Sequence, residues 1–266
     1  METNSKNDII VCGDHEIAIQ WILPKTAQLN QPTLVFLHDA LGSIAQWRGF
    51  PELVVAATGC PGLVYDRFGY GNSTPRTQPR SSQYMHDEAL IALPLLLQKL
   101  KIEDVILIGH SDGASIALMF AGQCPPGIKI RSVISEAAHV FVEEITLKGI
   151  QDVVDATQSN SFLKKLALFH GDKTDTVFRG WHETWLSTEF RNWNIENFLT
   201  NIKCPNLIIQ GLDDEYGTLA QVESIVTKTK GTSEKLLIPK CGHVPHLQAK
   251  ELVLEKMALF IESITQ

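Results

Sequence analysis

At 266 residues, with 44% apolar and 20% charged side chains, the chain has room for a large core and the make-up of a globular protein. A net charge of −7, with acidic and basic residues interspersed, disfavours nucleic acid and anionic membrane as partners. No apolar stretch is long enough to span a bilayer, the polar start Met1–Asp8 lacks the apolar run of a signal peptide, and five scattered cysteines, an odd number, read as reduced thiols of a cytoplasmic protein.

In chain order, Ile9–Cys12 and Glu16–Ile22 flank Gly13-Asp14 and predict a hairpin. Thr33–Leu37 and Gly62–Tyr65 are short apolar runs, the mark of buried parallel strands. Ser81 or Ser82 is placed to cap a helix through Leu100, kinked at Pro94. Asp104–Ile108 is a further strand, and Ala114–Ala121 a helix. Ile130–Ser135, Asn206–Gln210 and Glu234–Pro239 complete the strands, and Glu251–Ile261 has helical periodicity. Strands alternating with helices predict an α/β fold with a mostly parallel central sheet flanked by helices.

Residues 140–203 break the alternation. Ile150, Val153 and Val154 share a helical face, as do Phe162, Leu166 and Phe169; Phe178, Trp181 and Trp185 form an aromatic stripe at helical spacing. This predicts a helical lid at 140–203 inserted in a core made of 1–139 and 204–266. Trp181 and Trp185 are candidates to line a substrate pocket, and packing of lid on core explains the stripe as well.

The chemistry is carried by Gly109-His-Ser-Asp-Gly113, set between a strand and a helix. A serine on so tight a turn, with glycine two residues away on each side, stands exposed above the strand end. The helix start beside it leaves backbone N–H groups free to hold an oxyanion. A serine hydroxyl needs a histidine base, and the histidine a carboxylate to fix its tautomer. Gly211-Leu-Asp-Asp-Glu215 follows one strand, and Cys241-Gly-His243 follows the last. The order Ser, Asp, His fits a nucleophile elbow.

On these motifs, with Leu37-His38-Asp-Ala-Leu-Gly42 and Asp66-Arg-Phe-Gly-Tyr-Gly-Asn-Ser73, the chain resembles the α/β-hydrolase superfamily over nearly its whole length, most weakly in the lid. The resemblance implies a catalytic triad of Ser111, His243 and Asp214, with Asp213 the second choice of acid. It implies an oxyanion hole from the N–H groups of Asp112 and Ala40, although Asp39 stands where glycine commonly follows the histidine. In overall pattern the chain is similar to small lidded esterases, lactonases and carbon–carbon bond hydrolases.

Other readings of single residues are plainer. His110 adjoins the serine and cannot reach back as its base, so it packs or hydrogen-bonds. His38 reads as structural, Asp66 and Arg67 as ties for their loop. His246 and Cys241 near His243 lack the further ligands of a metal site. Gly69-Tyr-Gly71 lacks the third glycine of a dinucleotide loop. His15, His86, His170 and His182 read as surface or lid residues. His139 follows a strand near the expected pocket and is a candidate substrate contact.

The expectation is serine hydrolysis of a small ester or lactone through an acyl-enzyme, with no cofactor or metal. The alternatives are a carbon–carbon hydrolase acting on a vinylogous diketone, a small-ligand receptor that retains the triad, and a cofactor-free oxygenase; sequence leaves the oligomeric state open. Asp112 and Asp39 would oppose a developing oxyanion unless a cation or donor-rich group lies between them, and Asp39 and Glu136, at neighbouring loop positions in the fold that the chain resembles, would enrich the negative field around Asp112. Neutral-polar or cationic substrates are therefore expected over carboxylate-bearing ones, and a helix-start role for Asp112 is the alternative.

Overall fold

The strand runs pair into a single eight-stranded sheet of order β1-β2-β4-β3-β5-β6-β7-β8 in the computed structural model, which describes residues 2–25, 30–157 and 161–266. Met1 of the polar N-terminal segment and residues 158–160 of the predicted lid lie outside the described residues. The strands are β1 (Thr3–Cys12), β2 (His15–Pro24), β3 (Thr33–Leu37), β4 (Gly62–Tyr65), β5 (Asp104–His110), β6 (Lys129–Glu136), β7 (Asn206–Gly211) and β8 (Ser233–Ile238). The β1–β2 hairpin is antiparallel, as is the β2–β4 pair, and β3 to β8 run parallel.

Strand β1 is longer than its apolar signal. Its polar stretch Thr3–Asp8 pairs with β2 out to Thr3 opposite Pro24, because at a sheet edge the ladder satisfies the backbone while the side chains stay in water. The inner strands are apolar throughout because both faces are covered. Val35, Leu37, Val105 and Leu107 face one core, and Leu34, Phe36, Ile106 and Ile108 the other. Helices Phe50–Thr58 and Lys250–Thr265 cover the second face through Val54, Val55, Val253 and Met257. The elbow helix Asp112–Gln123 covers the first.

The helix predicted from Ser81 or Ser82 begins later, at Tyr84, and Ser81 Oγ instead accepts from the Gln83 N–H at 3.2 Å. It runs through a π turn at Glu88–Ala92 before Leu93–Leu100. Pro94, in the first turn of Leu93–Leu100, has no N–H to donate and its ring would crowd the carbonyl four residues back, which the widened turn ahead of it accommodates.

The helices Glu144–Thr157, Ser161–His170 and Thr174–Trp185, with the short Glu196–Leu199 after them, fall between β6 and β7. They form a lid-like insertion at the ends of the parallel strands. Phe141 pairs with Asn194 across its base as an isolated bridge. No helix among the described residues is long and apolar enough to cross a membrane, and all five cysteines are free thiols.

The elbow has no spare room. A Cβ on Gly113 would lie 2.0 Å from the Leu37 carbonyl oxygen, and one on Gly109 2.3 Å from the Gly113 oxygen. Both obstacles are backbone and cannot turn aside. Gly113→Ala should destabilise the protein by about 3 kcal/mol and lower its melting temperature by roughly 10 °C. A calorimetric scan that matches the wild type would show that β3 and the elbow helix can move apart freely.

Candidate active site

Ser111 joins β5 to the elbow helix at φ 53°, ψ −121°, a conformation that side-chain-bearing residues seldom adopt. It is held from both sides. Its N–H donates to the Glu136 carbonyl at 2.9 Å, and its own carbonyl accepts from the N–H groups of Ala114 and Ser115.

The parallel register brings the other two residues to the same sheet end. His243, after β8, places Nε2 2.9 Å from Ser111 Oγ, and its Nδ1 lies 2.9 Å from both carboxylate oxygens of Asp214. The carboxylate that reaches the ring is Asp214, which is buried, while its neighbour Asp213 is exposed. Burial alone would raise the Asp214 carboxyl's pKa. The His243 ring and the Tyr216 N–H outweigh burial and hold it below the ordinary carboxylate range. Sequence reasoning missed Gln210, whose Nε2 donates to Asp214 Oδ2 at 2.7 Å. Its signal was a polar residue closing the apolar run Asn206–Gln210. Glu215 was also missed: its carboxylate accepts the His243 N–H at 3.2 Å.

A cavity of ≈ 360 Å³ opens over Ser111 and His243, within the range of small-molecule sites. Ala40 and Asp112 line it, and no hydrogen bond from either N–H is seen among the described residues. His139, Trp181 and Trp185 also line it. The His139 ring stands 5.7 Å from that of His243 and edge-on to Trp185 at 5.3 Å. Its Nδ1 is buried and has no hydrogen-bond partner among the described residues. Burial, then the nearby His243 ring, lower its pKa to about 3, so it is neutral. Trp185, only 2% exposed, donates its indole N–H to Tyr84 Oη at 3.0 Å.

Tyr84 in turn donates to Asp112 Oδ2 at 2.5 Å, with Arg67 Nη2 3.9 Å from the same oxygen. Oδ1 of Asp112 is buried and has no hydrogen-bond partner among the described residues. The three carboxylates that sequence left uncompensated thus have partners. Asp39 Oδ2 faces His110 Nδ1 at 3.6 Å, and Glu136, fully buried, holds the His246 ring at 2.9 Å. Both partners lie far from their carboxylates in sequence, which is why the motif alone suggested an open negative field.

The surrounding loops are tied by groups read as structural. His38 Nδ1–H donates to the Asp39 carbonyl at 2.8 Å while Nε2 accepts from the Arg67 N–H at 3.1 Å, which fixes a neutral tautomer. Asp66 accepts from the N–H groups of Ile44 and Asn72. His170, expected at the surface or in the lid, is a lid residue yet only 3% exposed. It accepts from the Gly71 N–H at 3.0 Å and donates to the Leu41 carbonyl at 2.8 Å, pinning lid to core.

Comparison with known proteins agrees with this geometry. A family model described as alpha/beta hydrolase fold matches residues 32–197. The human serine hydrolase BPHL is 28% identical over 193 residues, which cover 70% of this chain and 64% of that protein. The chain therefore spans less than two thirds of that relative's length. Proline iminopeptidase of Saccharolobus solfataricus is 22% identical, over 87% of this chain and 85% of that one. The crystal structure of proline iminopeptidase from Mycobacterium smegmatis superposes with a TM-score of 0.76 at 19% identity, covering 98% of this chain and 99% of that one; the likeness is one of fold.

The two acids are separable by mutation. Asp214→Asn offers the histidine an amide that favours the wrong tautomer, and turnover should fall on the order of 10³–10⁴-fold. Asp213→Asn should change it less than about twofold, within the range of exposed sites. Steady-state kinetics giving the opposite ranking would shift the acid by one residue.

Proposed function

We propose that this serine hydrolase, which belongs to the alpha/beta hydrolase fold family, cleaves small carboxylic esters or lactones through an acyl-enzyme. The observation that carries the reading is the unbroken line from Ser111 Oγ through His243 to Asp214, each step 2.9 Å, at the base of the cavity. In this reading Ser111 attacks the carbonyl carbon and His243 Nε2 takes the hydroxyl proton. The N–H groups of Ala40 and Asp112 hold the oxyanion. The imidazolium then protonates the leaving oxygen, and the neutral ring activates water to release the acid. Asp214 fixes the His243 tautomer throughout.

Orphan polar atoms argue for the kind of substrate. Among the described residues, Asp112 Oδ1, His139 Nδ1 and Gln46 Oε1 are buried and unpartnered in residues that line the cavity, and such atoms are costly unless a ligand satisfies them; Asp112 follows Ser111 in the chain, and the His139 ring stands 5.7 Å from that of His243. A substrate with a hydrogen-bond donor beside its scissile carbonyl, a hydroxyl or an amine, meets the Asp112 acceptor. The charge of Asp112 is tempered by Arg67, so the preference rests on the donor rather than on an open negative field. The division into a core of 1–139 and 204–266 and a lid of 140–203 fits this role, since Ile150, Phe162, Leu166 and Phe169 of the insertion give the cavity an apolar side for an acyl or alkyl group.

Ser111→Ala should retain the fold and lose turnover by on the order of 10⁴–10⁶-fold across a panel of esters and lactones. Turnover that survives in the variant would remove Ser111 from the mechanism. Within the panel, esters carrying an amine or hydroxyl next to the carbonyl should outrun carboxylate-bearing ones of equal size, and Asp112→Asn should narrow that gap. A preference for carboxylates would reduce Asp112 to a helix-start residue.

Trp185 both packs the lid and faces the cavity. Trp185→Ala should cost about 3–5 kcal/mol of stability and also raise the Michaelis constant for bulky acyl groups. Lower stability with an unchanged order of substrate preference would assign it to packing alone.

A further inference from the structure

The last residue of β5, His110, is not used by the proposed reaction, yet its buried ring bridges two of the loops on which that reaction depends. Its Nε2 lies 2.7 Å from the backbone carbonyl oxygen of His243. Its Nδ1 faces Asp39 Oδ2 at 3.6 Å. A carbonyl and a carboxylate only accept hydrogen bonds. A neutral imidazole has one N–H, so it would aim a lone pair at one of these oxygens. An imidazolium donates toward both.

We propose that His110 is a positioning residue, held as an imidazolium between Asp39 and the His243 carbonyl, that locks the catalytic-histidine loop to the oxyanion loop. The linkage is continuous. Asp39 Oδ1 accepts the Leu41 N–H at 2.8 Å, which shapes the backbone on either side of Ala40. Asp39 Oδ2 meets His110, and His110 holds the His243 carbonyl. On the other side of His243 its N–H is held by Glu215. The backbone of the proposed base is thus fixed through both of its polar groups.

The groups around the ring favour its charge. Asp39 faces it from the loop after β3, and Glu136 from the end of β6. The rings of His243 and His246, 5.3 and 5.0 Å away, approach from the loop after β8, and Trp47 stands edge-on at 6.5 Å. His139 lies beyond His243 and is neutral. Burial alone would strip the proton from His110, but Asp39 and then Glu136 outweigh it and raise the pKa to about 9. The clamp is therefore intact below about pH 9 and is lost as pH rises through that value.

The inference rests on His243 acting as the base, and one test does not need turnover. In ¹⁵N-histidine-labelled protein at neutral pH, with signals assigned by their loss in His110→Gln, both ring nitrogens of His110 should carry protons. A single protonated nitrogen overturns the proposal whatever the protein hydrolyses. The kinetic test uses His110→Gln, which keeps a donor for the carbonyl and removes the charge. On an ester turned over by the wild type, kcat/KM of the wild type should fall as pH rises through about 9. The variant should be roughly 10–100-fold slower at neutral pH and lack that alkaline limb, with its melting temperature followed to show that it is folded. An equal alkaline limb in the variant, or none in the wild type, would contradict the clamp. Loss of all ester turnover in the wild type, with both nitrogens protonated, would instead fault the proposed reaction and leave the clamp standing.

Discussion

Between the end of β5 and the first turn of the elbow helix the chain reverses at a single residue, Ser111, in the left-handed region of backbone space. That reversal requires the helix start to pass within contact of the β3 end, and only glycine at 109 and 113 leaves space for it. The consequences are positional. Ser111 comes to line the cavity, with Asp112 of the helix start and Ala40 of the loop after β3 beside it. His243 and Asp214 come from strands further along the same sheet end, so parallel register alone delivers them.

Around that turn the protein buries many ionisable groups, and the carboxylates of the site have partners inside. Asp214 has His243, Gln210 and the Tyr216 N–H. Glu136 has His246, Asp39 has His110, and Asp112 has Tyr84 and Arg67. Unpaired buried charge is costly, so this pairing is what permits so polar a cluster beneath a lid. Against that background Asp112 Oδ1 and His139 Nδ1, unpartnered among the described residues and set in the cavity lining, are the atoms that the proposed substrate would complete.

Much of this was legible in the residues because it is local. The apolar runs at 33–37 and 62–65 become β3 and β4 without change, since a strand buried on both faces announces itself in four or five residues. The elbow was readable from its glycines. What was not legible depends on partners distant in the chain. Nothing near Asp112 reveals Tyr84, 28 residues away, and nothing near His170 reveals Gly71, 99 residues away. Thr3–Asp8 gave no strand signal because an edge strand draws its order from its neighbour's ladder rather than from burial. The π turn before Pro94 was hidden for a similar reason, since helix packing decides how a proline is accommodated.

The proposed reaction stands or falls with Ser111 as the activated nucleophile of this site. Intact-mass measurement after exposure to an alkyl fluorophosphonate, followed by peptide mapping, tests it most directly. One adduct per chain is expected, on Ser111, absent from Ser111→Ala and slowed by orders of magnitude in His243→Ala. No adduct on the folded protein, or one that persists in Ser111→Ala, would contradict it.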